Sequence, residues 1–194
     1  MNVVPVTLEG PRVRLEPLTM GHHAALSAIG LDPELWRLSP AAVRTEAEMA
    51  AYIGVALAEQ AAGRALPFAI VERASGAVVG TTRYGAIERH HRRLEIGWTW
   101  LGRAWQRTAI NTEAKLLLLQ HAFETLGCLR VELKTDALNQ RSRAAILRIG
   151  AREEGTFRKH MITASGRIRD TVYYAIVDDD WPAVKANLTQ RLAR

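Results

Sequence analysis

The sequence contains one cysteine, Cys128, and no apolar run near the roughly 20 residues that cross a bilayer. A single cysteine excludes an internal disulfide, which favours a reducing compartment. The segment from Met1 to Gly10 lacks the charged region and the long apolar stretch that together mark a secretory signal. We therefore expect a cytoplasmic protein that does not enter a membrane.

Positive charge is in moderate excess: the chain has 26 Lys and Arg residues and 20 Asp and Glu residues, which give a formal net charge of +6. Arginine supplies most of this charge, and the arginines are scattered along the chain rather than gathered in one tract. Nucleic-acid-binding domains usually concentrate basic residues in a patch or motif, so we expect no direct nucleic-acid binding. Scattered arginines are more consistent with binding the phosphates of a cofactor than with binding nucleic acid.

Periodicity and turn residues divide the chain into a series of strands and helices. Alternating or short apolar runs predict seven strands, at residues 12–17, 66–72, 78–87, 94–101, 130–136, 156–162 and 167–177. Helical spacing, capping residues and terminal glycines predict helices at residues 20–29, 45–62, 112–126 and 140–149, with a last helix beginning near residues 180–182. The order predicts one α+β domain over residues 1–194, with a mixed, mostly antiparallel sheet of about seven strands flanked by helices.

The stretch from Leu94 to Lys115 is the most informative, because a strand, a short turn and a buried helix follow one another there. Backbone N–H groups are unpaired at a helix N-terminus, and the helix dipole adds positive charge, so such a junction suits a pyrophosphate. The turn contains the small residues Thr108, Ala109 and Asn111. Arg103 and Arg107 can add charge-assisted contacts. A plain connector that binds nothing is the alternative.

The turn Gln106–Asn111 resembles the acetyl-CoA loop of the GNAT acetyltransferases, which reads Gln/Arg-x-x-Gly-x-Gly/Ala. Gln106 matches, whereas Ala109 and Asn111 depart from the pattern. Further motifs resemble the RimJ/RimL branch, which acetylates N-termini of ribosomal proteins. They are Arg12-x-Arg14-Leu15-x-Pro17, Glu95-Ile96-Gly97, Asn139-x-x-Ser142, Gly150-Ala151-x-x-Glu154-Gly155 and Arg169-Asp170-x-x-Tyr173. The resemblance covers nearly the whole chain, and it implies a GNAT-like fold.

The resemblance also implies a set of acetyl-CoA-binding residues and no metal. The set comprises Trp100, Leu101, Arg103, Gln106, Arg107, Thr108, Ala109, Ile110, Asn111, Thr112, Asn139 and Ser142. In this family a backbone N–H near Trp100 and Leu101 polarises the thioester carbonyl. Ala109 stands where glycine is usual, and its methyl group is harmless only if the backbone there has ordinary helical angles.

Three residues are candidates for proton transfer. Glu95 occupies the place where several GNAT enzymes keep a catalytic glutamate, so it is a candidate general base; otherwise it is a solvent-side strand residue. Ser142 matches a serine proposed to hydrogen-bond the cofactor sulfur; otherwise it satisfies the first turn of its helix. His160 is a second candidate base, or an exposed polar residue. Ile146 stands where other GNAT families have a tyrosine acid.

Two other features carry less chemistry. His90 and His91 are adjacent and lack carboxylate or cysteine partners at ligand spacing, so we expect a solvated loop and no metal. Cys128 follows a predicted helix end and precedes an apolar strand without a base nearby in sequence, which favours a buried structural thiol over an acetyl-carrying nucleophile.

The function implied is acetyl-CoA-dependent acetylation of a primary amine by direct attack in a ternary complex. By resemblance to the branch, the acceptor is a protein or peptide N-terminus and the enzyme is a homodimer. A small amine, such as a polyamine or an aminoglycoside, is the alternative acceptor, because fold does not fix substrate. A non-catalytic acyl-CoA-binding protein is the alternative from another class.

Overall fold

The computed structural model describes residues 1–193, in which eight strands form one sheet. The strands are β1 Leu8–Glu9, β2 Val13–Pro17, β3 Leu66–Glu72, β4 Val78–Glu88, β5 Arg93–Leu101, β6 Arg130–Asp136, β7 Arg152–Ile162 and β8 Ile168–Val177. The helices are α1 His23–Gly30, α2 Pro33–Trp36, α3 Glu46–Ala61, α4 Ala109–Gln120, α5 Gln140–Arg148 and α6 Trp181–Leu192. The predicted α+β arrangement, with a mostly antiparallel mixed sheet, is confirmed.

The strands lie in the order β1-β2-β3-β4-β5-β6-β8-β7. Every neighbouring pair is antiparallel except β5 and β6, which run parallel and are joined by α4. The parallel pairing is short, because it covers only Arg93, Leu94 and Glu95 of β5. Beyond Glu95 the two strands separate, so a gap opens between them at the carboxyl ends, where helices α4 and α5 begin.

One face of the sheet packs against α4 and α6 and forms the larger hydrophobic core. Helix α4 buries Ile110, Ala114 and Leu118 against this face, at the i, i+4 spacing that places side chains on one side of a helix. The Tyr84 hydroxyl of β4 donates a hydrogen bond to the Leu118 carbonyl at 2.6 Å. These contacts fix α4 against this face of the sheet.

The opposite face carries a second, smaller core on one half of the sheet. Helices α1 and α3 bury Leu26, Met49 and Ile53 there, and Trp36 joins them while donating from Nε1 to the Gly30 carbonyl at 2.7 Å. On the β5–β8 half of this face, aromatic side chains such as that of Trp98 are exposed. Helices α1 and α3 therefore cover one half of this face, and the half formed by β5–β8 is open to solvent.

Most of the predicted elements occur within a few residues of their expected bounds. The capping box before α3 is present, with Glu48 N–H donating to Thr45 Oγ1 at 3.1 Å. The two-residue strand β1 and the four-residue helix α2 were not predicted. None of the helices in the described part of the chain is long and apolar enough to span a membrane.

Two predicted boundaries were wrong. Helix α4 begins at Ala109 rather than at residue 112, because Thr108 caps it: the Thr108 hydroxyl accepts from Ile110 N–H at 3.3 Å. Strand β7 begins at Arg152 rather than at residue 156. It pairs with β8 from Arg152 onward, and this tertiary contact extends the strand through a polar stretch.

Candidate active site

The gap between β5 and β6 presents backbone groups of β5 that no strand satisfies. The Leu101 carbonyl accepts from Gln106 Nε2 at 3.0 Å, whereas Gly102 N–H donates to Val79 of β4 at 2.9 Å. In a strand, the N–H and C=O of one residue point to the same side, so the Leu101 N–H also faces away from β4. It is the backbone donor expected near Trp100 and Leu101.

A β-bulge in β5 changes which side chains face each side of the sheet. Arg83 of β4 pairs with Gly97, but Thr81 pairs with Trp100, so β5 has one extra residue. Trp98 adopts a positive φ of 51° at this point, which is uncommon for a bulky residue. The bulge turns the Thr99 hydroxyl toward α4, and the Trp98 ring lies on the opposite, open face.

The turn before α4 has its unusual backbone angle one residue before the cap. Arg107 has a φ of 62°, whereas Ala109 is the first helical residue and has no positive φ. The alanine in place of the usual glycine is therefore not strained. Asn111 and Thr112 also lie in the first turn of α4, where several backbone N–H groups have no intrahelical partner.

The start of α5 approaches this turn. Gln106 links the two elements, because its Oε1 accepts from Arg141 Nη1 at 2.8 Å while its Nε2 binds β5. Asn139 is the N-cap of α5, and its Oδ1 accepts from Ser142 N–H at 3.0 Å. The Ser142 hydroxyl is half-buried and has no hydrogen-bond partner among residues 1–193. The cap is thus supplied by Asn139 and not by the serine side chain.

Glu95 lies at the closed end of the gap, with only 3% of its surface exposed. Its Oε2 is 2.8 Å from Lys134 Nζ of β6. The carboxylate extends over Gly97, where a Cβ atom would lie 2.6 Å from Glu95 Oε1. Burial raises the pKa of Glu95, and Lys134 opposes this shift only in part. A carboxylate of raised pKa suits a general base working near neutral pH.

Lys115 places a second ammonium group on the α4 side of β5. It is 7% exposed, and its Nζ donates to Thr99 Oγ1 at 2.7 Å. The Thr99 hydroxyl is in turn 2.7 Å from that of Thr82. Burial lowers the pKa of Lys115 to about 7, while the Glu95 carboxylate acts in the opposite direction. The site therefore contains a lysine whose charge changes near neutral pH.

Other candidate residues lie farther from the gap. Arg103 pairs with Asp32, the N-cap of α2, at 2.7 Å. The Trp100 ring packs in the smaller core, so only its backbone is near the site. His160 is exposed on β7, and its ring centroid is 5.8 Å from that of Tyr173. The Tyr173 ring lies 5.7 Å from Lys134 Nζ, so His160 connects to Glu95 only through two intervening side chains.

The predicted histidine loop and thiol lie outside this site. His90 and His91 are exposed between β4 and β5, with ring centroids 5.0 Å apart. No group of three His, Cys, Asp or Glu side chains within residues 1–193 is arranged to hold a metal ion. Cys128 is buried, and burial raises its pKa to about 11, which makes it a poor nucleophile.

Three basic residues that the fold brings to the gap were not predicted from the sequence: Lys115, Lys134 and Arg141. Lys115 did carry a signal, because it is a charged residue directly before an unbroken leucine run in α4. Lys134 and Arg141 carried none. Their partners are 39 and 35 residues away in the chain, so only the β5–β6 register and the α5 position reveal them.

Comparisons with known proteins agree with this geometry. Residues 12–152 match the family described as the acetyltransferase (GNAT) domain. The chain is 32% identical over 110 residues to "Putative ribosomal N-acetyltransferase YdaF" of Bacillus subtilis (strain 168), covering 57% of this chain and 59% of that protein. It thus spans about three fifths of the length of the curated relatives it matches.

Solved structures are similar over nearly the whole chain. A GCN5-related N-acetyltransferase from Brucella melitensis has a TM-score of 0.90 at 32% identity, covering 98% of this chain and 86% of that one. RimJ of Mycobacterium smegmatis, in complex with CoA-disulfide, has a TM-score of 0.84 at 27% identity, covering 96% of this chain and 95% of that one.

Proposed function

The chain belongs to the GNAT acetyltransferase family and to its RimJ/RimL-like branch, and from this premise we propose that it is an acetyl-CoA-dependent N-acetyltransferase. The acceptor in this proposal is the N-terminal amine of a protein or peptide, which attacks the thioester directly in a ternary complex. The whole chain acts as one acetyltransferase domain. The names of the similar proteins support this class of reaction.

The observation that carries the proposal is the gap between β5 and β6. Its open end meets the N-terminus of α4, whose free N–H groups suit a pyrophosphate, with Arg107 and Arg141 nearby to add charge. Its closed end holds the buried carboxylate of Glu95. About 20 Å of strand separate Glu95 from Leu101, a span along which an extended pantetheine arm fits.

Each step of the proposed reaction is assigned to a group that lies at the gap or beside it. Glu95 accepts the proton that the attacking amine must lose, directly or through one water molecule. The Leu101 N–H lies at the open end of the gap, where it can hydrogen-bond the pantetheine arm, and a backbone N–H of β5 closer to Glu95 stabilises the negative charge that develops on the thioester oxygen. As the C–S bond breaks, the Ser142 hydroxyl donates its proton to the departing sulfur, which leaves as the free thiol of CoA. The serine regains a proton from solvent, and Glu95 releases to solvent the proton that it took from the amine. Lys134 stabilises the ionised form of Glu95 between turnovers.

Turnover of acetyl-CoA on a panel of amines tests the proposal. The panel contains short peptides with free N-termini, the same peptides with blocked N-termini, a polyamine and an aminoglycoside, and free thiol is measured. We expect CoA release with free-N-terminus peptides and none with blocked ones. Release only with the polyamine or aminoglycoside would assign a small-molecule acceptor. Tight CoA binding without release on any amine would identify an acyl-CoA-binding protein instead.

A further inference from the structure

Arg83 of β4 is a buried cation that is not within hydrogen-bond or ion-pair distance of any carboxylate in the described part of the chain. It is 5% exposed, and its guanidinium carbon lies 4.9 Å from the Trp98 ring centroid and 5.5 Å from that of Tyr52. Within residues 1–193, none of its side-chain nitrogens makes a hydrogen bond or an ion pair. The aromatic rings stabilise the cation, and its N–H groups are free to donate to a ligand.

Arg83 lines a cavity of about 290 Å³ between the end of α3 and the β4–β5 pair. Glu59 also lines the cavity, but Arg64 already binds its carboxylate through two hydrogen bonds of 2.8 Å. Glu88 is exposed at the rim. Arg83 is therefore the cation in this cavity that has no carboxylate of its own.

The cavity adjoins the site of acetyl transfer. Arg83 pairs across β4 and β5 with Gly97, and Gly85 pairs with Glu95, so Arg83 and Glu95 belong to neighbouring strands on the same face. Adjacent strands lie about 4.8 Å apart. The Trp98 ring is close to both groups, because its centroid lies 4.9 Å from the Arg83 guanidinium carbon and 5.9 Å from Lys134 Nζ, the partner of Glu95.

We propose that the acceptor amine carries a carboxylate group, which enters this cavity and binds the free N–H groups of Arg83 while the amine faces Glu95. The assignment rests on the proposed acetyltransferase function and specifies its substrate class. The guanidinium group is planar, and its N–H groups match a carboxylate in a bidentate geometry. The carboxylates of Glu59 and Glu88 in the walls disfavour a doubly charged phosphate group more than a singly charged carboxylate.

A matched substrate series tests this assignment. The acceptors are short peptides that differ only by Glu or Gln, and by Asp or Asn, at the first or second position, together with free glutamate and its amide, glutamine. We expect kcat/KM to be on the order of 10- to 100-fold higher for the acidic member of a pair, because hydrogen bonds to charged groups are worth that ratio. The peptide and free-amino-acid arms distinguish the two sources of a carboxylate.

Arg83→Met is the informative variant, since methionine keeps an apolar stem between Tyr52 and Trp98 and removes the charge. We expect it to abolish the preference for acidic acceptors while the Kd for CoA and the melting temperature stay close to those of the parent. Arg89→Met is the control, because Arg89 is an exposed arginine of the adjacent loop that does not line the cavity. The control should keep the preference.

Two outcomes overturn the assignment and leave the proposed function standing. One is equal turnover of acidic and amide peptides by the parent protein; the other is an acidic preference that survives in Arg83→Met. If no amine is acetylated, calorimetry can still measure the binding of an acidic peptide to the CoA-loaded protein. Binding that requires Arg83 supports the carboxylate site even if acetyl transfer fails, and absence of binding overturns it.

Discussion

The carboxylate of Glu95 lies over the Cα of Gly97, so close that a Cβ atom at residue 97 would be 2.6 Å from Glu95 Oε1. Two residues apart in a strand, these side chains share one face of the sheet. The glycine is thus required by the position of the carboxylate, because Gly97 has no positive φ that would otherwise demand it.

Gly97→Ala should lower kcat/KM by about 10-fold or more, since the displaced carboxylate can no longer meet the amine in a productive geometry. Gly54→Ala is the matched control: Gly54 lies on the exposed side of α3, with nothing within 4 Å of an added Cβ. The control should keep full activity and gain up to about 1 kcal/mol of stability. Full activity in Gly97→Ala would show that the Glu95 position is unimportant.

The pH dependence of kcat/KM tests the role of Glu95 as a base. Burial raises the pKa of Glu95, and a base must be deprotonated to act, so activity should rise with pH through a value above that of an ordinary glutamate. Glu95→Gln should reduce kcat/KM by roughly 100-fold or more near pH 7 and lose this ascending limb. An unchanged profile in the variant would assign the limb to the acceptor amine alone.

Much of the fold follows from local signals in the sequence. The capping residue Thr45 and the glycine at residue 63 predicted α3 to within one residue at each end. The helix α2 was missed because four residues are too few to show periodicity, although Asp32 and Pro33 are typical of a helix start. The predicted start of α4 lies three residues too late, because Thr108 belongs to the turn in the sequence-based prediction and is the N-cap in the structure.

The site was predictable only where one segment carries it. Glu95 and Gln106 belong to a single strand–turn–helix stretch, so their positions on one strand and on the turn that follows it can be expected from the sequence. The Glu95–Lys134 ion pair depends on the parallel register of β5 with β6, which no local pattern encodes. The environment of Arg83 is even harder to predict from the sequence, because it combines residues of α3, of β4 and of the bulge at Trp98. Tertiary contacts of this kind lie beyond periodicity and motif spacing.

The backbone of the turn Gln106–Asn111 gives a prediction about Ala109, which stands where the family usually has glycine. Ala109→Gly restores the residue usual in the family, but Ala109 is already helical, so the Kd for CoA should stay within about threefold. Arg107→Gly should raise the free energy of unfolding by roughly 1 kcal/mol, because it relieves a positive φ, and should weaken CoA binding by removing a charge. Calorimetry and thermal melts measure both. CoA binding tightened tenfold by Ala109→Gly would contradict this.

Asn139 and Ser142, the two polar residues at the start of α5, should have different roles: Asn139 a structural one and Ser142 a chemical one. Asn139→Ala removes the cap and should cost about 1 kcal/mol of stability. Ser142→Ala leaves the cap intact, because the serine contributes its backbone N–H, so the melting temperature should not change. If the hydroxyl assists departure of sulfur, kcat falls in Ser142→Ala while the Kd for CoA stays within a few-fold. Full turnover would leave departure of sulfur without an assigned donor.

Lys115 should impose a pH dependence on stability, with a sign fixed by its lowered pKa. Burial lowers this pKa to about 7, against about 10.4 for an exposed lysine. Between these two values the unfolded chain binds a proton that the folded chain does not, so the contribution of Lys115 to stability increases as pH rises from about 7 to about 10. Below pH 7 both states are protonated, and the cost of the buried charge is greatest.

Lys115→Met should therefore stabilise the protein by about 1–4 kcal/mol near pH 6–7, the range found when buried charges are replaced by apolar groups of similar size. The difference in stability between parent and variant should shrink as pH approaches 10. Lys185→Met is the control, since Lys185 forms only an exposed ion pair with Glu124, 2.7 Å away. Denaturant unfolding at several pH values measures all three proteins. A parent–variant difference that is constant from pH 6 to pH 10 would mean that Lys115 keeps an ordinary pKa, and the Thr99 hydrogen bond would then have to stabilise a permanently charged ammonium.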